Sequence, residues 1–116
     1  MVSLCRLGSA EVPAAGVDPG NHLEVWLIDA GSADNPNLDF VIDDTARAVR
    51  ALRTEGNRVL LHCVQAESRT PTIAARYTTL TTAQRLDEAL ADLRVVLPRA
   101  HPNPAFTEAL SRLCPQ

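Results

Sequence analysis

The 116-residue chain contains no lysine, and all eleven of its cations are arginine. A Schiff-base or lysine-nucleophile mechanism is therefore excluded. A basic excess is also lacking. The formal net charge is −3, so no strongly basic face for nucleic acid is implied. No apolar run approaches the roughly 18 residues needed to span a membrane, and none is expected to insert into one. Met1 to Ala10 lacks a long apolar stretch behind a basic cluster, so it does not read as a secretory signal. Cysteine is scarce. Cys5, Cys63 and Cys114 are odd in number and far apart, which fits neither a disulfide framework nor a zinc knuckle. His22 and His101 stand beside loop residues without ligand spacing. No metal or cofactor is implied, and a reducing cytoplasm is the expected setting.

What is present fits one domain, residues 1–116, with a core drawn from a composition that is 46% apolar. An apolar run, Val2 to Cys5, starts almost at the first residue. A strand that begins so early leads us to expect a chain cut from a longer one at its N-terminal side. Glu11 to Asn21 is rich in Pro and Gly and reads as a loop. Leu23 to Ile28 has the β-branched and aromatic content of a buried strand, with Trp26 expected in the core. Asp29 to Asn37 is a polar loop. Asn37 stands as the N-cap of a helix whose Leu38, Val41, Ile42, Thr45, Ala46, Val49 and Leu52 share one face. Gly56 is its expected stop. Arg58 to His62 is a second strand, and Cys63 to Arg69 is a loop. Thr70 to Leu80 reads as a helix with Pro71 in its first turn. Thr81 to Gln84 fits a capping box for a helix with Leu86, Ala89, Leu90, Leu93 and Val96 along a stripe. Asn103-Pro104 begins the last helix, with Phe106, Leu110 and Leu113 apolar. Strand, loop, helix, strand, loop, helix predicts an α/β fold: a small, mainly parallel β-sheet with helices packed on it.

Chemistry concentrates where a strand meets a helix. Cys63 ends a buried strand, Val64, Gln65, Ala66, Glu67 and Ser68 follow, and Arg69 opens a helix. A loop of that length can curl so that its backbone N–H groups point inward and cradle an oxyanion. The helix behind adds its positive end. Arg69 supplies a planar fork for two phosphate oxygens. All three favour a thiolate at Cys63, below the ordinary thiol value of about 8.5. Such a thiolate can attack phosphorus and form a phosphocysteine. The Thr70 hydroxyl is placed to hydrogen-bond the sulfur as it leaves.

His62-Cys63, five residues, Arg69-Thr70 resembles the signature loop of the protein tyrosine phosphatase superfamily. The Val-Ser-Leu-Cys start, and the Trp26 strand with an acidic loop after it, look like its small dual-specificity and PRL-like members. Asn-Pro-Asn-Leu-Asp-Phe, Arg-Thr-Pro-Thr and His-Pro-Asn-Pro-Ala-Phe are similar to phosphatase-like modules of actinobacteria. Some of those are joined to ADP-ribosylglycohydrolase domains, a partner or fusion that the resemblance implies here. It also implies a phosphorylated protein, tyrosine or dual specificity, as substrate; a small phosphorylated metabolite stays open. The general acid should be an Asp on the loop after the preceding strand, and Asp29 and Asp34 both qualify. His62 is expected to orient the loop by hydrogen bonding. From PRL-like enzymes comes a redox role for Cys5 as disulfide partner of the nucleophile.

Two residues depart from the superfamily pattern. Ala66 stands where glycine is usual, at a cost of roughly 1 kcal/mol if the backbone needs positive φ. Glu67 puts a carboxylate inside the loop, and it should face outward. These departures favour a rival reading, a pseudophosphatase that binds phosphate with little turnover. A rhodanese-type sulfurtransferase shares the Cys-to-Arg spacing, but the Trp-led acidic loop argues against it.

Overall fold

A computed structural model of the chain describes residues 1–4, 22–25, 27, 35, 37–62 and 68–114. Among the described residues three short strands, β1 (Val2–Ser3), β2 (Leu23–Glu24) and β3 (Leu61–His62), form one parallel sheet in the order β2-β1-β3. Val2 and Ser3 align with Leu23 and Glu24 on one side and with Leu61 and His62 on the other. The ladder is regular, with Val2 N–H donating to Leu60 O at 2.8 Å and Val25 N–H to Ser3 O at 2.8 Å. As the middle strand, β1 is buried on both faces: Val2 and Leu4 point one way and Ser3 the other, each 0% exposed. All three strands run the same way, so their C-terminal ends share one edge of the sheet.

Helix α1 (Leu38–Thr54) carries the crossover from β2 to β3. Leu38, Ile42, Thr45, Ala46, Val49 and Leu52 are buried, the face that the sequence periodicity predicts, with Val41 at its half-buried margin. Asn37 does occupy the N-cap position, but in the left-handed region (φ 57°, ψ 41°) and without a side-chain cap hydrogen bond. Its backbone carbonyl accepts from Val41 N–H instead. Asparagine tolerates this region better than most residues. At the other end Gly56, at φ 92°, lets Asn57 N–H return to Leu52 O at 3.1 Å and Gly56 N–H to Arg53 O at 3.0 Å. That is a Schellman stop, and it turns the chain into β3.

Helix α2 (Arg69–Thr81) is the hub and packs against α1, α3 (Leu86–Val96) and α4 (Pro104–Leu113). Its Ile73 and Ala75 join Val2, Leu4, Leu27, Ile42, Ala46, Phe106, Ala109 and Leu110 in one core. Ion pairs tie the helices together at the rim. Arg76 of α2 and Arg47 both reach Asp43 of α1, and Arg76 also touches Leu113 O and Cys114 Sγ after α4. Cys114 is buried there, with Thr79 Oγ1 at 3.1 Å from its sulfur. Arg112 of α4 holds Asp39 of α1 through two 2.7 Å hydrogen bonds.

The expected capping box at Thr81–Gln84 does not form. Thr81 is the last residue of α2, and its hydroxyl donates back to Tyr77 O. Thr82 Oγ1 instead accepts from Gln84 N–H, a local turn, and α3 starts only after Arg85. The stripe of α3 is also narrower than predicted: Leu86 and Ala89 are buried, whereas Val96 is 77% exposed. At α4 the cap is as expected, with Asn103 Oδ1 accepting from Phe106 N–H at 2.9 Å and Pro104 in the first turn. Among the described residues no helix is long and apolar enough to cross a membrane, and no acidic, His or Cys cluster could hold a metal ion.

Candidate active site

Cys63, Val64, Gln65, Ala66 and Glu67 lie outside the described residues, as do Cys5, Trp26, Asp29 and Asp34. The described candidates are His62 at the end of β3, and Ser68, Arg69 and Thr70 at the start of α2. They flank the cysteine loop on both sides, and the structure fixes each flank.

Arg69 is the first residue of α2, and its side chain turns toward the C-terminal edge of the sheet. Nη1 donates to Leu4 O at 3.3 Å, just past β1, and to Leu27 O at 3.1 Å, in the segment after β2. One guanidinium nitrogen thus spans two strand ends. Because guanidinium is planar, two contacts on one nitrogen fix the plane of the whole fork. The cation sits where parallel strands present their carbonyl ends, the edge at which open α/β sheets place ligands.

Ser68 is the N-cap of α2 by position but does not cap it with its side chain. Its Oγ accepts from Asn103 N–H at 2.9 Å, and its carbonyl accepts from Thr72 Oγ1 at 2.7 Å. Asn103 therefore does two things: it caps α4 and pins the end of the cysteine loop. Ser68 and Thr70 are each 7% exposed, so the loop rejoins the helix in a tightly packed place. Thr70 lies inside the first turn of α2 and is not its cap.

His62 Nε2 lies 2.6 Å from Ser3 Oγ, and Ser3 Oγ lies 2.9 Å from His22 Nε2. Sequence reasoning placed His22 beside a loop and gave Ser3 no role. A period-two reading carried the signal. Ser3 is the polar member of an apolar run, and buried polar side chains need partners. Elsewhere, a groove of about 340 Å³ is lined by Val49, Arg53, Asn57, Arg58, Val59, Leu61, Ala74 and Tyr77. Asn57 to Val59 lead into β3, and Leu61 lies within it.

No protein-family model matches the chain. Among curated proteins it is 29% identical over 80 residues to the dual specificity protein phosphatase PHS1 of Arabidopsis thaliana. That match spans 69% of this chain but only 9% of the relative. Several solved structures share the fold. Human DUSP28 superposes with a TM-score of 0.79 at 21% identity, covering 97% of this chain and 73% of that one. A mouse dual specificity phosphatase solved with zinc tungstate gives 0.79 at 22% identity, over 97% and 66%. Tk-PTP in its active form gives 0.74 at 22% identity, over 97% and 75%. The chain thus has the fold of the dual-specificity phosphatases, as the resemblance of its cysteine loop implied.

Proposed function

We propose that the chain hydrolyses phosphate monoesters through a phosphocysteine on Cys63. The observation that carries this reading is the position of Arg69. It directly follows the loop that begins at Cys63, and its guanidinium plane is set at the carbonyl edge of the sheet by Leu4 O and Leu27 O. Nη1 is occupied by those two carbonyls, which makes Nε and Nη2 the pair for two phosphate oxygens. The phosphatase fold supports the same chemistry, and so does the tungstate, a tetrahedral oxyanion, with which the mouse neighbour was solved.

The steps then follow. The Cys63 thiolate attacks phosphorus, an S–P bond forms and the ester P–O bond breaks. The alcohol leaves with a proton from Asp29 or Asp34. Water attacks the phosphocysteine and gives a proton back to that carboxylate, the S–P bond breaks, and inorganic phosphate departs as the thiolate returns, with the Thr70 hydroxyl hydrogen-bonding the sulfur. Phosphorylated protein side chains, tyrosine or mixed, are the substrates we assign. The chain spans less than a tenth of its curated relative, so that protein's own partners are not carried over.

Ala66 and Glu67 favour a second reading, a phosphate-binding module with little turnover. One comparison separates the two: aryl phosphate hydrolysis by the wild type and by Cys63→Ser, with tungstate binding measured on both. The enzyme reading expects a loss of orders of magnitude in Cys63→Ser. A wild type that binds tungstate but does not turn over supports the binding module. Turnover that survives Cys63→Ser sinks the phosphocysteine. A thiosulfate:cyanide assay disposes of the sulfurtransferase reading, against which the phosphatase fold already weighs.

A further inference from the structure

Ser3, His22 and His62 make a chain of hydrogen bonds across the width of the sheet. The register aligns Ser3 with His62 on one side and Glu24 on the other. Side chains alternate along a strand, so His22, two residues before Glu24, projects from the same face as Ser3 and His62. Ser3 is 0% exposed and His22 6%, so water does not compete for these bonds. The serine oxygen lies 2.6 Å from His62 Nε2 and 2.9 Å from His22 Nε2.

A serine hydroxyl carries one proton. Where it donates to one imidazole, it can only accept from the other. When both rings are neutral, the Nε2 that accepts is bare and the Nε2 that donates is protonated. One shared hydroxyl therefore holds the two histidines in opposite tautomers. The donor and acceptor roles follow from the tautomers and not from the heavy-atom distances. We take the arrangement that directs Ser3 O–H to His62, the shorter contact, and His22 Nε2–H to Ser3. His62 then carries its proton on Nδ1, the ring nitrogen nearer the main chain that leads into Cys63. An N–H there can donate to a carbonyl oxygen or a thiolate; the other tautomer would offer a lone pair.

The geometry assigns Ser3 and His22 as positioning residues for the cysteine loop: together they set the tautomer of His62. The consequence for turnover rests on the phosphocysteine reading; the tautomer coupling does not. The test combines side-chain ¹⁵N spectra with aryl phosphate kinetics at pH 8, above the ordinary histidine value of about 6.5. In the wild type, His62 should be protonated at Nδ1 and His22 at Nε2. His22→Leu removes the donor that orients Ser3. His62 should then populate both tautomers, and kcat should fall about tenfold, the scale of one lost buried hydrogen bond. His22→Gln keeps an N–H near the place of Nε2 and should recover kcat to within about twofold of wild type. Ser3→Ala should shift His62 in the same way and serves if His22→Leu does not fold. Equal tautomers in the wild type, or an unchanged His62 spectrum in both Ser3→Ala and His22→Leu, overturns the assignment. So does a tautomer shift that leaves kcat of an active enzyme untouched. If the wild type has no turnover, the phosphocysteine reading fails, and the spectra alone decide the coupling.

Discussion

Arg69→Lys separates the contacts that the structure shows for this side chain from the phosphate binding proposed for it. The structural job is the pair of contacts from Nη1 to Leu4 O and Leu27 O, at 3.3 and 3.1 Å. Both are long bonds to neutral acceptors at a half-buried site, and each is worth about 0.5–1.5 kcal/mol net. An ammonium can keep one of them, so the loss in stability should be about 1 kcal/mol. For a domain of this size that lowers Tm by roughly 4 °C. The proposed functional job is the fork on phosphate. Charge-assisted hydrogen bonds are worth about 1.5–3 kcal/mol each. Losing one of two, with the geometry of the other relaxed, costs about 2–4 kcal/mol in the transition state. At 1.36 kcal/mol per decade, kcat/KM should fall by about 30- to 1000-fold. Thermal unfolding gives the first quantity, and aryl phosphate kinetics well below Tm give the second. Thermal protection by tungstate should be present in the wild type and nearly absent in the variant. A folded Arg69→Lys protein within about threefold of wild-type kcat/KM would refute the argument, because the guanidinium plane would then not be what binds phosphate.

The general acid is assigned by leaving group. Asp29→Asn and Asp34→Asn should differ, and loss of the true acid should slow alkyl phosphates far more than activated aryl phosphates, which need little protonation. Burial pushes Asp43 upward, but hydrogen bonds from Arg47 and Arg76 and their charges outweigh it, and its carboxyl is held below the ordinary value. A depressed carboxylate stabilises the fold fully above its unfolded value of about 3.9, and that contribution is lost as pH falls through the lower folded value. Asp43→Asn should thus cost about 1 kcal/mol at pH 7 and show a shallower loss of stability than wild type below pH 4, read from chemical unfolding at each pH. Mild peroxide should join Cys5 to Cys63, reversibly with thiol, because β1 and β3 are parallel neighbours whose C-terminal ends share an edge. Peptide mapping without that linkage, together with irreversible inactivation, would leave Cys5 without a redox role.

How far the sequence reached depended on whether a feature was local. The apolar face of α1 and its stop at Gly56 follow from spacing and from one residue's tolerance of positive φ, and both are as read. The cap of α4 at Asn103 is likewise local. The capping box failed because two helices competed for the same threonines, and α2 extended far enough to take Thr81. Local pattern cannot rank two adjacent helices against each other. Arg58 to Leu60 were expected in the last strand and stand outside it, since the ladder needs partners in register and not only β-forming residues. The partners of Ser3, His22 and His62 were beyond reach for the same reason: sequence separations of 19 and 59 residues collapse to hydrogen-bond distance only once three strands align.

The order β2-β1-β3 bears on how one edge could serve the proposed chemistry. Placing the first strand in the middle brings the ends of the two later strands to either side of Leu4. One neighbour leads to Leu27, whose carbonyl receives Arg69, and on to the acidic loop. The other leads through His62 into Cys63. A single arginine at the start of α2 can then reach across the ends of β1 and β2 while staying in chain contact with the loop from β3. Side chains on β1 gain a second use from the same arrangement. Ser3, between two strands, can contact a residue of each, which an edge strand could not offer. Topology therefore supplies both the anchor for the arginine and the bridge between the histidines. A change that loosened β1, such as Val2→Ala or Leu4→Ala, would disturb both together without touching any residue of the proposed chemistry.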